Sequence, residues 1–268
     1  MADESMKLAA TALPAPAQRH SYKVVGIRVD AVVMQDAIAQ IREWIAARER
    51  GKYVAVTGMH GVSESLRDPG LRQIINQAGL VVPDGMPLVW LARWRGIPLQ
   101  RRVTGSDLME TFCRETGSQY RHFFYGGAPD VAGDLANKLR DRFNIVIAGT
   151  FTPPFRPLTD QEEQEVSALV KQTSPDILWV GLSTPKQERW MHAHRATLGV
   201  PVMLGVGAAF DMHSGRLERA PVWVQRVGLE WFYRLVAEPK RLWKRYLVVI
   251  PRAACNVLLE MLHILKYD

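Results

Sequence analysis

The strongest candidate for acid-base chemistry is Asp84, which follows the apolar segment Leu80–Val82 and lies between Pro83 and Gly85. Partial burial at a strand end would raise the pKa of its carboxyl while leaving it mostly ionised near neutral pH. A general base needs that combination. The alternative is an Asx turn that caps a helix starting at Met86.

Two further segments place polar groups at predicted strand ends. Thr57 ends the apolar segment Tyr53–Thr57, where its hydroxyl could bind a substrate or cap a helix. Ser183-Thr184-Pro185-Lys186-Gln187-Glu188 is typical of a helix start, with a hydroxyl cap and a proline in the first turn. Lys186 and Gln187 would then project from that first turn beside a ligand cleft.

Glycines recur where predicted strands end, and they allow a phosphate or a sugar to approach the backbone closely. Each glycine alone could simply serve a turn, whereas the repetition favours a ligand-binding edge. The segments are Gly126-Gly127, Gly149-Thr150, Gly181-Leu182-Ser183 and Gly205-Val206-Gly207.

The sequence lacks the common metal and cofactor motifs. It has no Walker A, HExxH, GxSxG or EF-hand pattern and no Asp-x-Asp pair, which disfavours a metal-bound diphosphate. Gly205-Val206-Gly207 resembles the start of a dinucleotide fingerprint without its third glycine. No metal and no cofactor are therefore expected. Four histidines without metal-ligand spacing are interpreted as core or surface residues: His60, His192, His194 and His213.

Basic and aromatic residues are concentrated near the C-terminus. The whole chain carries a net charge of +7, and the residues from Ser214 onward hold ten Lys and Arg against five Asp and Glu. Such a segment indicates an anionic partner, either phospholipid headgroups, a phosphorylated substrate or nucleic acid. The alternative is an ordinary solvated helical face.

The spacing within this C-terminal segment predicts short amphipathic helices, which Pro239 and Pro251 should divide. Arg234, Arg241 and Arg245 are spaced by seven and four residues, so a continuous helix would bring them to one face. Basic, aromatic, amphipathic helices are typical of reversible membrane attachment. No apolar run reaches the roughly 18 residues that a spanning helix needs.

Apolar runs alternate with helical patterns from Tyr22 to His213, which predicts a Rossmann-like α/β fold: a mostly parallel sheet with helices on both faces. In such sheets ligands bind at the carboxyl ends of the strands. Val24–Val29 is predicted to be one strand and Val62–Gln77 one helix. The expected organisation is a flexible extension (1–20), a catalytic core (21–213) and a basic C-terminal appendage (214–268).

The composition is that of a globular protein. The chain has 268 residues, 47% of them hydrophobic, which is enough to bury a sizeable core and excludes global disorder. Two distant cysteines, Cys113 and Cys255, exclude a disulfide scaffold and fit the reducing cytosol.

Several ordered motifs resemble the WecG/TagA/CpsF family of bacterial glycosyltransferases over residues 22–250. The core motifs are Val82-Pro83-Asp84-Gly85, Arg102-Val103-Thr104-Gly105-Ser106-Asp107-Leu108, Phe123-Phe124-Tyr125-Gly126-Gly127, Val180-Gly181-Leu182-Ser183-Thr184-Pro185-Lys186-Gln187-Glu188 and Gly205-Val206-Gly207-Ala208-Ala209-Phe210-Asp211. They are followed by Arg219-Ala220-Pro221, Gly228-Leu229-Glu230-Trp231-Phe232-Tyr233-Arg234 and Glu238-Pro239-Lys240-Arg241-Leu242-Trp243-Lys244-Arg245-Tyr246.

This resemblance implies an inverting, metal-independent enzyme that moves a sugar from a UDP-sugar donor to a polyprenyl-diphosphate-linked sugar. The enzyme would work on the inner face of the cytoplasmic membrane, in the assembly of exopolysaccharide or cell-surface glycan. The resemblance implies that Asp84 is the catalytic base, that Thr57, Arg102 and Gln187 line the site, and that Arg234, Arg241 and Arg245 close over a diphosphate. Gly126, Gly127, Gly181 and Lys186 complete the predicted substrate contacts.

One position departs from the family pattern. Many members have Asn two residues after the threonine that matches Thr57, whereas this chain has Met59. An amide that could recognise a sugar substituent is replaced by a thioether. The donor sugar could therefore be an N-acetylhexosamine or an unsubstituted hexose such as glucose, with glucose slightly favoured.

Two other functions remain as alternatives from the sequence. An NAD(P)-binding oxidoreductase would bind the nicotinamide cofactor and ignore lipid-linked sugars. A non-catalytic basic module would bind a membrane surface or nucleic acid with steep salt dependence. No nucleic-acid partner is expected under the main hypothesis. The aromatic residues of the C-terminal segment could also join copies of the chain in a homo-oligomer.

Overall fold

The computed structural model describes residues 20–226 and 228–267. Of the extension expected over residues 1–20, only His20 falls within this range. The strands are β1 (Ser21–Val24), β2 (Ile27–Asp30), β3 (Lys52–Thr57), β4 (Leu80–Pro83), β5 (Arg121–Gly126), β6 (Val146–Phe151), β7 (Ile177–Gly181) and β8 (Val202–Gly205).

Helices connect and follow these strands. They are α1 (Met34–Ala46), α2 (Met59–Arg67), α3 (Pro69–Asn76), α4 (Met86–Trp94), α5 (Gly105–Thr116), α6 (Val131–Phe143), α7 (Asp160–Thr173), α8 (Lys186–His194), α9 (Ala209–Ser214), α10 (Val222–Arg226), α11 (Glu230–Ala237), α12 (Pro239–Lys244) and α13 (Ile250–Met261). A π-helical turn, Arg245–Val249, joins α12 to α13.

Six strands form a parallel sheet in the order β4-β3-β8-β7-β5-β6, with helices packed on both faces. Side chains alternate along each strand. Tyr53 and Ala55 therefore pack on one face with α2, α4, α8 and the β1-β2 hairpin, whereas Val54 and Val56 pack on the other with α1, α5, α6 and α9. The Rossmann-like α/β prediction is confirmed.

A crevice opens where β3 and β8 lie side by side. The helix after β3 buries Val62 on one face of the sheet, and the helix after β8 buries Phe210 on the other. Because the two connections leave in opposite directions, backbone does not fill the space above these strand ends. Open α/β sheets bind ligands at such a switch point.

Two element predictions were wrong for local reasons. Val24–Val29 is not one strand, because Val25 (φ 43°) and Gly26 (φ 81°) form a tight turn between β1 and β2. Val62–Gln77 is two helices, because the Asp68 carboxylate accepts the Leu71 N–H at 3.0 Å and starts a new helix at Pro69.

The prediction that both prolines divide the C-terminal segment was right only at Pro239. Helical backbone runs from Pro239 to Met261, and the π-helical turn lies directly before Pro251. A proline inside a helix removes one N–H donor and crowds the carbonyl four residues earlier. The wider turn gives that carbonyl room, so the helix continues.

Helix α13 is fastened to the core. Ala253 and Val257 are buried in the same cluster as the hairpin residues. The Glu260 carboxylate accepts the Val25 backbone N–H at 3.1 Å and pairs with Arg95 at 3.2 Å. The Ser63 hydroxyl donates to the Val249 carbonyl at 3.1 Å. The end of the C-terminal segment therefore packs against the α/β core, and the domain boundary at residue 214 stays a prediction.

None of the helices in the described ranges is both long and apolar enough to cross a membrane.

Candidate active site

A cavity of about 410 Å³ lies at the carboxyl ends of β3, β4 and β8. Its floor comes from the strand ends and from α8. Residues 228–249, which we call the roof, cover the opposite side. The lining includes Met59, His60, Asp84, Met86, Trp90, Arg102, Gln187, Gly205, Gly207, Glu230, Trp231, Arg234, Arg241, Arg245, Tyr246 and Ile250.

Asp84 is held by the backbone around it. Its N–H donates to the Thr57 carbonyl at 2.8 Å, and the preceding Pro83 carbonyl accepts the Val103 N–H at 2.9 Å. Gly85 has φ +121°, a conformation that side-chain-bearing residues rarely adopt, and it turns the chain into α4. The N-cap of α4 is Gly85, without a side-chain cap, so the Asx-turn alternative does not describe Asp84.

The charge environment of Asp84 suits a base. Asp84 is half-buried in the cavity wall, and desolvation raises the pKa of its carboxyl to about 6. The Arg102 and Arg234 guanidinium groups oppose the increase, while Glu230 and Asp107 reinforce it. At neutral pH the carboxylate is therefore mostly ionised but more basic than an exposed aspartate, as general-base catalysis requires.

Helix α11 brings two opposite charges to this carboxylate. Glu230 lies on the first turn of α11 and pairs with Arg102 at 2.5 Å, although the two residues are 128 positions apart. Arg234 follows one turn later and lies 3.8 Å from Glu238. The roof is thus tied to the core by an ion pair at the wall of the cavity.

Four guanidinium groups line the cavity, on Arg102, Arg234, Arg241 and Arg245. Glu230 and Glu238 neutralise part of this charge, since Arg241 also pairs with Glu238 at 2.5 Å. Planar guanidinium groups bind phosphate oxygens in bidentate geometry. The helix is broken between Ala237 and Pro239, so the three roof arginines do not lie on one continuous helical face, yet all three line the same cavity.

Gln187 presents an unpaired acceptor in the cavity wall. Its amide nitrogen donates to the Glu188 carboxylate at 3.1 Å, and Thr184 donates to the same oxygen at 2.8 Å. This fixes the amide, and its buried oxygen finds no partner among the described residues. A ligand N–H or O–H could satisfy it. Burial raises the pKa of the Glu188 carboxyl.

The other predicted contacts lie outside the cavity lining. The Thr57 hydroxyl is buried directly below it, without a partner among the described residues. Gly126 and Gly181 touch each other at the ends of β5 and β7, where a built Cβ on Gly126 would lie 2.7 Å from the Gly181 carbonyl carbon. Gly127 packs against Val131, and Lys186 is exposed. Their roles as substrate contacts stay predictions.

His60 was expected to be a core or surface histidine, and its place in the cavity was not predicted. His60 lines the cavity, and its Nδ1 atom is buried without a hydrogen bond among the described residues. Burial and the nearby Arg245 lower the pKa of its ring to about 4, so it is neutral at physiological pH. The sequence signal that could have placed His60 in the cavity is its position just after the end of β3, three residues after Thr57.

The described residues contain no cluster of three or more His, Cys, Asp or Glu side chains that could hold a metal ion.

Comparison with known proteins agrees with this architecture. The model of the glycosyl transferase WecG/TagA/CpsF family matches residues 22–266. Two relatives, from Bacillus subtilis (strain 168) and Bacillus spizizenii (strain ATCC 23059 / NRRL B-14472 / W23), are both named N-acetylglucosaminyldiphosphoundecaprenol N-acetyl-beta-D-mannosaminyltransferase. The first is 32% identical over 73% of this chain and 75% of its own length. The second is 30% identical over 79% of this chain and 80% of its own length. The chain therefore belongs to the WecG/TagA/CpsF family of glycosyltransferases.

Proposed function

We propose that the protein is an inverting glycosyltransferase that moves a hexose from a UDP-sugar to a sugar carried on polyprenyl diphosphate. The observation that carries this proposal is the pairing, in one cavity, of the Asp84 carboxylate with four arginines. One group can accept a proton, and the others can hold a diphosphate. The product would enter an exopolysaccharide or another cell-surface glycan.

The reaction needs one proton transfer and one displacement. Asp84 takes the proton from the acceptor hydroxyl as its oxygen attacks the anomeric carbon. The bond between that carbon and the β-phosphate oxygen breaks, and UDP leaves with the electron pair. Arg102, Arg234, Arg241 and Arg245 stabilise the charge that develops on the departing phosphate. A single displacement from the opposite side inverts the configuration at the anomeric carbon.

Met59 bears on which sugar the donor carries. The two Bacillus relatives are named for the transfer of N-acetylmannosamine. In this chain a nearly buried thioether lines the cavity where an amide is common in the family. Since a thioether is only a weak hydrogen-bond acceptor, recognition of an acetamido group would lose one partner. Glucose is thus the first donor to test, followed by N-acetylhexosamines.

Membrane attachment through the C-terminal segment is proposed from its exposed side chains. Trp223, Phe232, Trp243 and Leu247 are all at least 45% exposed, among the basic residues of this segment. Sedimentation with anionic vesicles should fall as salt rises, because headgroup attraction is screened. A salt-independent dimer without vesicle binding would assign the same side chains to a homo-oligomer.

The test is transfer from radiolabelled UDP-sugars to a synthetic polyprenyl-diphosphate-linked sugar in EDTA, with wild type and Asp84→Asn. Metal-independent transfer that the variant loses supports the proposal and identifies the donor. Arg241→Lys keeps the charge but not the bidentate geometry that stabilises the departing phosphate, so it should lower kcat more than it raises KM. Tight NAD(P)H binding without transfer from any donor would overturn the proposal in favour of an oxidoreductase.

A further inference from the structure

One side of the cavity mouth is apolar and leads outward along α4. This helix begins at Met86, two residues after Asp84. Met86, Trp90 and Trp94 are spaced by four residues and so form one stripe on its surface. Met86 and Trp90 line the cavity, and Trp94 lies one turn further from Asp84. Trp90 and Trp94 are each 57% exposed.

The roof supplies a second apolar wall. Trp231 and Tyr246 line the same cavity, and their rings lie 5.7 Å apart between centroids. Trp231 is 43% exposed, so this wall also reaches the surface. The cavity is therefore lined by aromatic side chains from α4 and from α11, and Arg234 lies one turn after Trp231 on α11.

The cations of α4 are held away from the stripe. Arg93 donates to the carbonyls of Leu99 and Gln100 at 2.9 and 2.8 Å. Arg95, the residue after the helix, pairs with Glu260 of α13. A ligand that leaves the cavity on this side meets exposed indole rings.

We propose that the Met86-Trp90-Trp94 stripe binds the first isoprenoid units of the polyprenyl diphosphate acceptor, whose diphosphate lies beside that of the donor in the arginine-lined cavity. This inference rests on the proposed function and names the part of the acceptor that the mouth receives. A bilayer alone would not account for the course of the stripe, which starts inside the cavity beside Asp84. Indole rings offer large flat apolar faces to a branched hydrocarbon chain.

The spacing of Trp90 and Trp94 makes the affinity for a prenyl diphosphate depend on the length of its hydrocarbon chain. Trp94 lies about 6 Å beyond Trp90 along the helix axis, from the rise of 1.5 Å per residue. A chain that enters from the cavity meets Trp90 first and must extend about 6 Å further to reach Trp94, so contact with Trp94 grows with chain length.

The test measures dissociation constants of inorganic diphosphate, geranyl diphosphate and farnesyl diphosphate by calorimetry on the full chain. Wild type should bind farnesyl diphosphate at least about tenfold more tightly than inorganic diphosphate, since each tenfold gain needs only 1.4 kcal/mol. Trp90→Ala should remove most of the gain for both prenyl ligands, and Trp94→Ala only for farnesyl diphosphate. Trp90→Phe should keep most of the gain in affinity for both prenyl ligands. Inorganic diphosphate should bind all variants equally.

Trp223→Ala is the matched control, because Trp223 is 67% exposed and does not line the cavity. It should bind all three ligands as wild type does. Equal affinity for prenyl and inorganic diphosphates in the wild type would overturn the inference. An equal loss for both in Trp90→Ala would also overturn it, since a collapsed site would then explain the effect.

Two parallel measurements separate the possible failures. If UDP does not bind, the proposed function fails together with the inference. If UDP binds but the prenyl chain adds nothing, only the inference fails. If Trp90→Ala loses sedimentation with anionic vesicles but keeps its affinity for farnesyl diphosphate, the stripe binds the bilayer and the inference is overturned.

Discussion

Asp84 shares its cavity with Arg102, Arg234 and Glu230, so its affinity for a proton depends on how these charges pair. Arg102 is held by Glu230 at 2.5 Å, which limits its effect on Asp84. A diphosphate that attracts Arg102 would change this balance. The pKa of Asp84 is therefore set by side chains from the core and from the roof together.

Asp84→Asn should cost activity and increase stability. Loss of the base should lower kcat by roughly 10² to 10⁴. Because the folded pKa of about 6 lies above the usual aspartate value of 3.8, ionisation of Asp84 destabilises the fold as pH rises from about 4 to 6. The free energy of unfolding of the variant should exceed that of wild type by up to about 3 kcal/mol at pH 7.

Denaturant melts of both proteins at pH 4 and pH 7 check this prediction. The stability difference should be small at pH 4, where the unfolded aspartate is largely protonated. A difference of the same size at both pH values would contradict the assigned cause.

Glu230→Gln should lower the pKa of Asp84. The substitution removes a negative charge that raises this pKa and frees Arg102 to lower it further. The acidic limb of the kcat/KM profile should therefore move to lower pH. Glu162→Gln is the control, because Glu162 pairs with the exposed Arg156 and does not contribute to the pKa of Asp84. A limb that moves equally in both variants would contradict this account.

The apolar runs predicted the central strands because buried parallel strands are continuously hydrophobic. The same rule merged β1 with β2, since the turn at Val25-Gly26 has no polar residue to interrupt the run. Proline rules located the break at Pro239 but not the π-helical turn before Pro251, which depends on packing against α2 and the hairpin.

Gly181→Ala tests whether this glycine serves packing or substrate. A built Cβ would lie 2.5 Å from the Phe210 ring, so the substitution should destabilise the fold by about 1–3 kcal/mol. Gly133→Ala in α6 is the control, since nothing lies within 4 Å of its built Cβ, and it should gain up to about 1 kcal/mol. Calorimetric melting checks both. Lost transfer without lost stability in Gly181→Ala would favour the substrate role.

At the scale of the whole molecule, the sequence predicted candidate site residues that stand in a recognisable local motif. It did not predict contacts that form only when distant segments fold together. The strand-end rule found Asp84, and the family resemblance pointed to Arg102 and the roof arginines. The partner of Arg102 was not predictable, because an ion pair with Glu230 spans 128 positions and depends on how the roof folds back. His60 was missed because a metal-spacing test cannot recognise a neutral histidine in a cavity wall.

Glu260→Ala should loosen the attachment of α13. It leaves the buried Val25 N–H without its acceptor and Arg95 without its partner, which should cost about 1–3 kcal/mol of unfolding free energy. Glu165→Ala on α7 removes an exposed carboxylate and should change stability by less than about 0.5 kcal/mol. Urea denaturation compares the two, and equal effects would contradict the assigned role of Glu260.

The attachment of α13 also determines what happens when the chain is cut. The roof is joined to the core at both ends, through β8 and α9 on one side and through the buried Ala253 and Val257 on the other. A protease that cleaves one peptide bond within the roof would therefore leave two fragments held together without a covalent link. Such a nicked molecule should elute from a sizing column as one particle and separate only in denaturant.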